Sequence, residues 1–245
     1  MMIRGLLVIT AGLVLAAGYN ASSLFDLLSG TAASYNVSVA AQAQEVNQID
    51  APLPDARIAA LEGIPQWFTR KGYPVLGNRD ALVHVISYAS FDCPHCGRFE
   101  ETVMPGLVER AAAGDINIVY VPAYGTGGIP NGHGAARAAL CAGQQDAFWS
   151  FHATLYSWQN EFGGQAFSNE RLEAGASNLG LDMAAWGDCF YYSDRPERVL
   201  EAAMNALFGL QVPATPTIFV NQTQIDSWTP ENLNAAIDAI LLPAA

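Results

Sequence analysis

The sequence predicts an α/β protein whose sheet is built in two halves, with an all-helical segment inserted between them. Three observations carry that expectation. Two apolar, β-branched runs, "VHVISYAS" and "INIVYVPA", flank a stretch with helical spacing, as buried strands around a helix would. Residues 133–208 then keep a helical pattern with no strand-like run. A last apolar run, "VPATPTIFVNQ", and a capped helix close the chain. The expected order is β-β-α-β, a helical block, then β-β-α, without an internal repeat.

The first 20 residues, "MMIRGLLVITAGLVLAAGYN", place Arg4 ahead of an uncharged run. That run reads as a signal peptide or a membrane anchor, long for the first and short for the second. Its length favours an anchor, and the A-x-A at Ala41 to Ala43 lies too far downstream to be an easy cleavage site. Either way the remainder is expected to be exported. Residues 21–54, rich in Ala, Ser and Asn at the start, read as a flexible tether. Residues 55–245 form the domain, with a short helix expected from Asp55 and the sheet from about Tyr73.

The chain has 245 residues and is 51% apolar, enough for one sizeable core. Its net charge of −12 falls entirely beyond residue 44. So acidic a domain is a poor partner for nucleic acid or anionic membrane surfaces. Nothing in the composition calls for more than a monomer.

Within the domain, "YPVLGNRDALVHVISYAS" reads as strand, turn, strand, with Gly77 to Asp80 as the turn. "GRFEETVMPGLVERAAAG" is helical, stopped by Gly114 and kinked at Pro105. "GTGGIPNGHG" is a Gly-rich loop that matches neither nucleotide-binding pattern, so it is not expected to hold phosphate. Phe148, Trp149, His152, Leu155 and Tyr156 form one apolar helical stripe, expected to be core. The final helix is expected to start at Thr229 or Pro230.

Four cysteines allow three pairings, and in an exported chain disulfides persist. Cys93 and Cys96 sit in "SFDCPHCGRF", directly after a strand and at the start of a helix. The first cysteine then meets free N–H groups and the positive end of the helix dipole, which stabilise a thiolate. Pro94 at the first helical position sacrifices no hydrogen bond. His95 adds a possible cation near the sulfur. Cys96, one turn on, can close a disulfide with Cys93. A stabilised thiolate stabilises the reduced pair, which makes the disulfide an oxidant. Cys93 is expected to be the attacking and leaving sulfur, Cys96 the shielded, resolving one. A zinc site lacks a second C-x-x-C, and a Cu(I) site on Cys93, Cys96 and His95 is the remaining metal alternative. No metal and no cofactor other than the disulfide itself are expected.

"VLGNRDALVHVISYASFDCPHCGRFE", "AARAALCAGQQDAFWSFHATLY" and "VPATPTIFVNQ" together resemble the DsbA-like branch of the thioredoxin superfamily, from Tyr73 to the C-terminus. The resemblance implies a thioredoxin fold with an all-helical domain inserted between its two halves. It implies a thiol-disulfide oxidoreductase that donates its disulfide to reduced or unfolded exported proteins. A membrane reoxidant resembling DsbB or the vitamin K epoxide reductase-like proteins is implied as a partner. Pro216 would be a cis-proline and Thr215 the residue whose backbone pairs with an extended substrate; an ordinary trans proline at a strand start is the alternative. The family often carries a buried acid on the strand before the motif. Ser87 stands at that position, and Asp92 could substitute for the acid in part while opposing the lowering of Cys93.

Cys141 and Cys189 fall in the helical block. A structural disulfide between them is one reading, and a second redox pair that relays electrons is the other. His84 and His152 are expected to be satisfied core histidines, and His133 a solvated loop residue. Two further functional readings stand beside the oxidase. One is a reductase or isomerase running the same exchange in reverse. The other is a thiolate metal-binding protein for copper or zinc.

Overall fold

The structure, a computed structural model, describes residues 49–210 and 214–242. The expected signal or anchor, 1–20, and residues 21–48 of the tether lie outside the described residues.

The chain runs through a short helix α1 (Asp55–Ala59) and strands β1 (Gln66–Phe68), β2 (Pro74–Gly77) and β3 (Val83–Ser90). Helices α2 (Pro94–Thr102) and α3 (Met104–Ala112) lead to β4 (Ile116–Ala123). Five helices follow without a strand: α4 (Gly132–Ala142), α5 (Phe148–Phe162), α6 (Asn169–Asn178), α7 (Met183–Gly187) and α8 (Arg195–Gly209). Strands β5 (Thr217–Val220) and β6 (Thr223–Ile225) and helix α9 (Pro230–Leu241) complete it. The strands form one sheet in the order β1-β2-β4-β3-β5-β6. Only β3 and β4 run parallel, in register from Val83 opposite Ile116 to Ser90 opposite Ala123.

That pair is the centre of the molecule, and its sequence shows why. Val83, Val85, Ile116 and Ile118 are wholly buried, so β3 and β4 carry apolar residues as strands covered on both faces do. The inserted helices enter between β4 and β5, so the sheet is assembled from two separate stretches of chain. Phe148, Trp149, His152, Leu155 and Tyr156 are all buried, the expected stripe of α5. The Tyr156 and Tyr120 hydroxyls meet at 3.0 Å, and both rings pack on Phe91. One aromatic cluster thus joins the insertion to the sheet and to the residue two before Cys93.

Three boundaries differ from the sequence reading. Residues 49–54, assigned to the tether, lie against the inserted helices: Trp158 Nε1 donates to the Pro52 carbonyl, and Asn178 Nδ2 to that of Ala51. Their small, polar-flanked composition hides backbone acceptors that larger side chains elsewhere require. β1 was not anticipated, because three residues are too short for a period; Trp67 opposite Val75 sets its pairing. The kink expected at Pro105 is a full break at Val103. Pro105 cannot donate to the carbonyl one turn back, but it fits the first turn of a new helix.

Cys141 on α4 and Cys189 are disulfide-bonded, with Cα atoms 5.6 Å apart. Cys189 lies in a π-helical turn, residues 188–192, which Arg137 of α4 braces by donating to the carbonyls of Cys189, Phe190 and Ser193. Closing a loop of 48 residues is worth on the order of 4 kcal/mol in the chain-entropy picture. The double variant Cys141→Ala/Cys189→Ala is expected to lose about that much in urea unfolding, with disulfide exchange at Cys93 unchanged. A matching loss of exchange activity would instead make the pair an electron relay.

Candidate active site

Cys93 caps the N-terminus of α2 in an extended conformation, and Pro94 opens the helix. The strand-to-helix turn is tight: the Cys93 N–H bonds the Ser90 carbonyl, and the Gly97 N–H bonds that of Cys93. Cys93 is 3% exposed and Cys96 wholly buried, and both are free thiols here. Pro94 and His95 face solvent.

The two sulfurs are inequivalent. A hydrogen bond from Cys96 is the main cause that lowers Cys93, from an ordinary value of 9.0 to about 5. Burial works against it, and the Thr215 hydroxyl and the backbone N–H groups of Cys96 and His95 support it. The Cys96 thiol is pushed well above its ordinary value, first by burial and then by the neighbouring Cys93. An absorbance titration of the reduced protein at the thiolate band should therefore show one sulfur ionising near pH 5 and the other silent through neutrality. Two midpoints near 9.0 would contradict the geometry.

The His95 backbone N–H contributes to that lowering, and the residue itself is exposed.

Thr215 and Pro216 arrive from the other half of the sheet. Their peptide bond is cis. The Cys93 thiol donates to the Thr215 carbonyl over 3.2 Å. The Thr215 hydroxyl meets that of Thr126 at 2.7 Å. Thus β3, the loop after β4 and the start of β5 converge on one sulfur.

Asp92 departs from expectation. Its carboxyl is buried and turned away from Cys93, accepting from the Gly125 N–H at 2.7 Å, the Thr126 N–H at 3.4 Å and the Ser90 hydroxyl. It is not among the leading causes of the Cys93 shift. Its work is to fasten the Gly-rich loop to the turn. Ser87 is fully buried with its hydroxyl unpartnered, so no acid stands on the strand.

Sequence reasoning missed four contributors. Gly127 lies so close to the turn that an added Cβ would collide with the Asp92 carbonyl and the Cys93 Cα. Backbone cannot yield there, so Gly127→Ala should cost about 1–3 kcal/mol and slow exchange at Cys93, read by thermal unfolding and thiol trapping. Gln159 of α5 donates to the carbonyls of Phe91 and Cys93. Thr126 positions Thr215. Glu100, on α2, is a second buried acid beside Asp92. Its spacing of four from Cys96 could have revealed it, since positions four apart share a helix face. His84 is bonded to Asn117 at 2.8 Å from an exposed position on β3, and His133 to Glu197 at 3.0 Å, so neither is core nor simply solvated. Among the described residues no cluster of three or more His, Cys, Asp or Glu is placed to hold a metal.

A mixed sheet interrupted by a helical block, with a cysteine pair on a helix N-terminus facing a cis-proline, defines a thioredoxin-fold protein of the DsbA type. The family model described as thioredoxin matches residues 69–239, and the chain belongs to that family. It is 32% identical over 203 residues to the Na(+)/H(+) antiporter NhaA 1 of Salinispora arenicola, covering 78% of this chain and 29% of that one. It is 27% identical over 174 residues to the disulfide bond formation protein D of Bacillus subtilis, covering 64% of this chain and 72% of that one. Other relatives are spanned over 24% to 62% of their length. The crystal structure of oxidised BdbD from Bacillus subtilis superposes with a TM-score of 0.59 at 23% identity, over 71% of this chain and 95% of that one.

Proposed function

We propose that this protein is an exported thiol-disulfide oxidoreductase that donates the Cys93–Cys96 disulfide to reduced proteins. The observation that carries this reading is the split between the two sulfurs, one lowered to about 5 and the other raised and buried. A thiolate is the better leaving group and the more stable product when its pKa is low, so the pair holds electrons well and gives up its disulfide readily.

In the proposed reaction a substrate thiolate attacks Sγ of Cys93. The Cys93–Cys96 bond breaks, and the Cys96 sulfur leaves and takes a proton. A second substrate thiolate then attacks the substrate sulfur of the mixed disulfide. Cys93 departs as thiolate, and the substrate keeps the new disulfide. Two electrons have passed from the substrate to the cysteine pair. A membrane partner resembling DsbB or the vitamin K epoxide reductase-like proteins would remove them. The Thr215 backbone, held beside Cys93, offers an extended substrate a place to pair. Cys93, Cys96, Thr215 and Pro216 therefore form the proposed reacting and binding set, with Pro94 and His95 shaping the turn. The name of the Bacillus subtilis relative supports the direction of exchange.

The test is the reduction potential of Cys93–Cys96 in glutathione buffers, with Cys141 and Cys189 followed separately by mass spectrometry. A potential well above the glutathione couple is expected. A potential near that of thioredoxin would overturn the donor role in favour of a reductase. Stoichiometric Cu(I) binding lost in Cys93→Ala would favour metal handling.

A further inference from the structure

The loop after β4 reaches the redox turn through another side chain. Thr126 of that loop is exposed, while Thr215, beside Cys93, is buried. Their hydroxyls meet at 2.7 Å, and among the described residues this contact is the hydrogen bond of the Thr215 hydroxyl. Thr126 is itself held in place: its N–H donates to Asp92 Oδ1 at 3.4 Å, and the Gly125 N–H donates to Oδ2 at 2.7 Å. The Thr217 hydroxyl does not compete, because it donates to the Ala214 carbonyl at 2.7 Å.

Each hydroxyl of the pair carries one proton, so one donates across the contact and the other accepts. The two sides differ in what else they can reach. Thr126, being exposed, can accept from solvent. Thr215 is buried next to the sulfurs: the Cys93 thiol donates to its carbonyl at 3.2 Å, and its hydroxyl lowers both Cys93 and Cys96. With the Thr126 proton directed at Thr215, the Thr215 proton is free to face the Cys93 sulfur. The dipoles then run head to tail into the thiolate, and each hydrogen bond polarises the next. A disulfide carries no charge to receive them, so the chain of hydroxyls favours the reduced pair.

We propose that Thr126 is a positioning residue for disulfide exchange: by donating its hydroxyl proton to Thr215, it turns the Thr215 hydroxyl onto the Cys93 sulfur. This role rests on the disulfide donor proposed above and assigns the tuning of that donor to the Gly-rich loop. No bond is made or broken at Thr126 itself.

The test compares Thr126→Val, which keeps the shape and removes the hydroxyl, with Thr126→Ser, which keeps the hydroxyl. Each full-length variant is followed by the Cys93 ionisation midpoint at the thiolate band and by its equilibrium with glutathione. Losing one hydrogen bond in Thr126→Val should weaken Cys93 ionisation roughly threefold to tenfold and make the disulfide less oxidising by a like factor. Thr126→Ser should match the wild type. In a Thr215→Val background, Thr126→Val should add nothing further, since its route to the sulfur is gone. An unchanged midpoint in Thr126→Val, an equal shift in Thr126→Ser, or additive effects of Thr126→Val and Thr215→Val would each overturn the proposal. So would an equal loss of urea stability in oxidised and reduced Thr126→Val with no change in the glutathione equilibrium, the mark of a purely structural contact. A wild-type potential near that of thioredoxin would instead overturn the donor role and leave the Thr126→Val shift standing.

Discussion

Cys93→Ser should lower turnover on a reduced, unfolded protein by roughly three orders of magnitude or more, because the hydroxyl is neither ionised nor nucleophilic at neutral pH. Cys96→Ala should behave differently. Without Cys96 no donor disulfide can form, so substrate oxidation stops; the Cys93 thiolate can still attack a disulfide, and with no Cys96 sulfur to attack back, a mixed disulfide at Cys93 should accumulate. Both outcomes are visible by non-reducing electrophoresis and mass spectrometry. Equal turnover in the wild type and Cys93→Ser would remove the proposed chemistry altogether. A mixed disulfide on Cys96 in place of Cys93 would reverse the roles of the two sulfurs, which their burial argues against.

The second large effect is on stability. Cys93 is lowered from 9.0 to about 5 in the folded, reduced protein. A depressed folded value contributes stability that is complete above pH 9.0 and is lost as pH falls through about 5. At pH 7 the linkage gives on the order of 1–3 kcal/mol. The raised Cys96 adds nothing below pH 9.0, where its unfolded form also stays protonated. The oxidised protein has neither thiol. The difference in urea stability, reduced minus oxidised, should therefore shrink by about 1–2 kcal/mol between pH 7 and pH 5. A difference that stays flat or grows towards acid would show that the Cys93 thiolate is not what stabilises the reduced form.

What the sequence disclosed depended on how local each feature is. Cys93, Pro94 and Cys96 are read together because capping, helix phase and sulfur reach are set within four residues. The insertion is visible because α4 to α8 repeat one period over a long stretch. Pro216 was found through the resemblance of its strand, since nothing near "ATPT" distinguishes cis from trans. The misses are tertiary. Asp92 looked like a charge beside a thiol; only the fold shows Gly125 and Thr126 holding its carboxyl away. Gly127 is far from Cys93 in sequence, and its importance is a matter of clearance between two backbones. His152 read as a satisfied core histidine because the stripe is apolar, and it is buried, but its Nε2 has no partner. The polar group nearest to it, Glu100 Oε1 at 3.4 Å, arrives from another helix.

Gln159 ties the two parts of the protein at an unusual place. Its amide bonds the carbonyls of Phe91 and Cys93, so the inserted helices grip the backbone of the redox turn itself. An engineer hoping to pare this protein down to a minimal sheet-and-helix core would meet that grip first. Cutting out the insertion would remove the hand that sets the turn, along with half of its aromatic lining. The same joint makes the helices a handle: a graft that tilts α5 would retune the sulfur without altering a residue beside it.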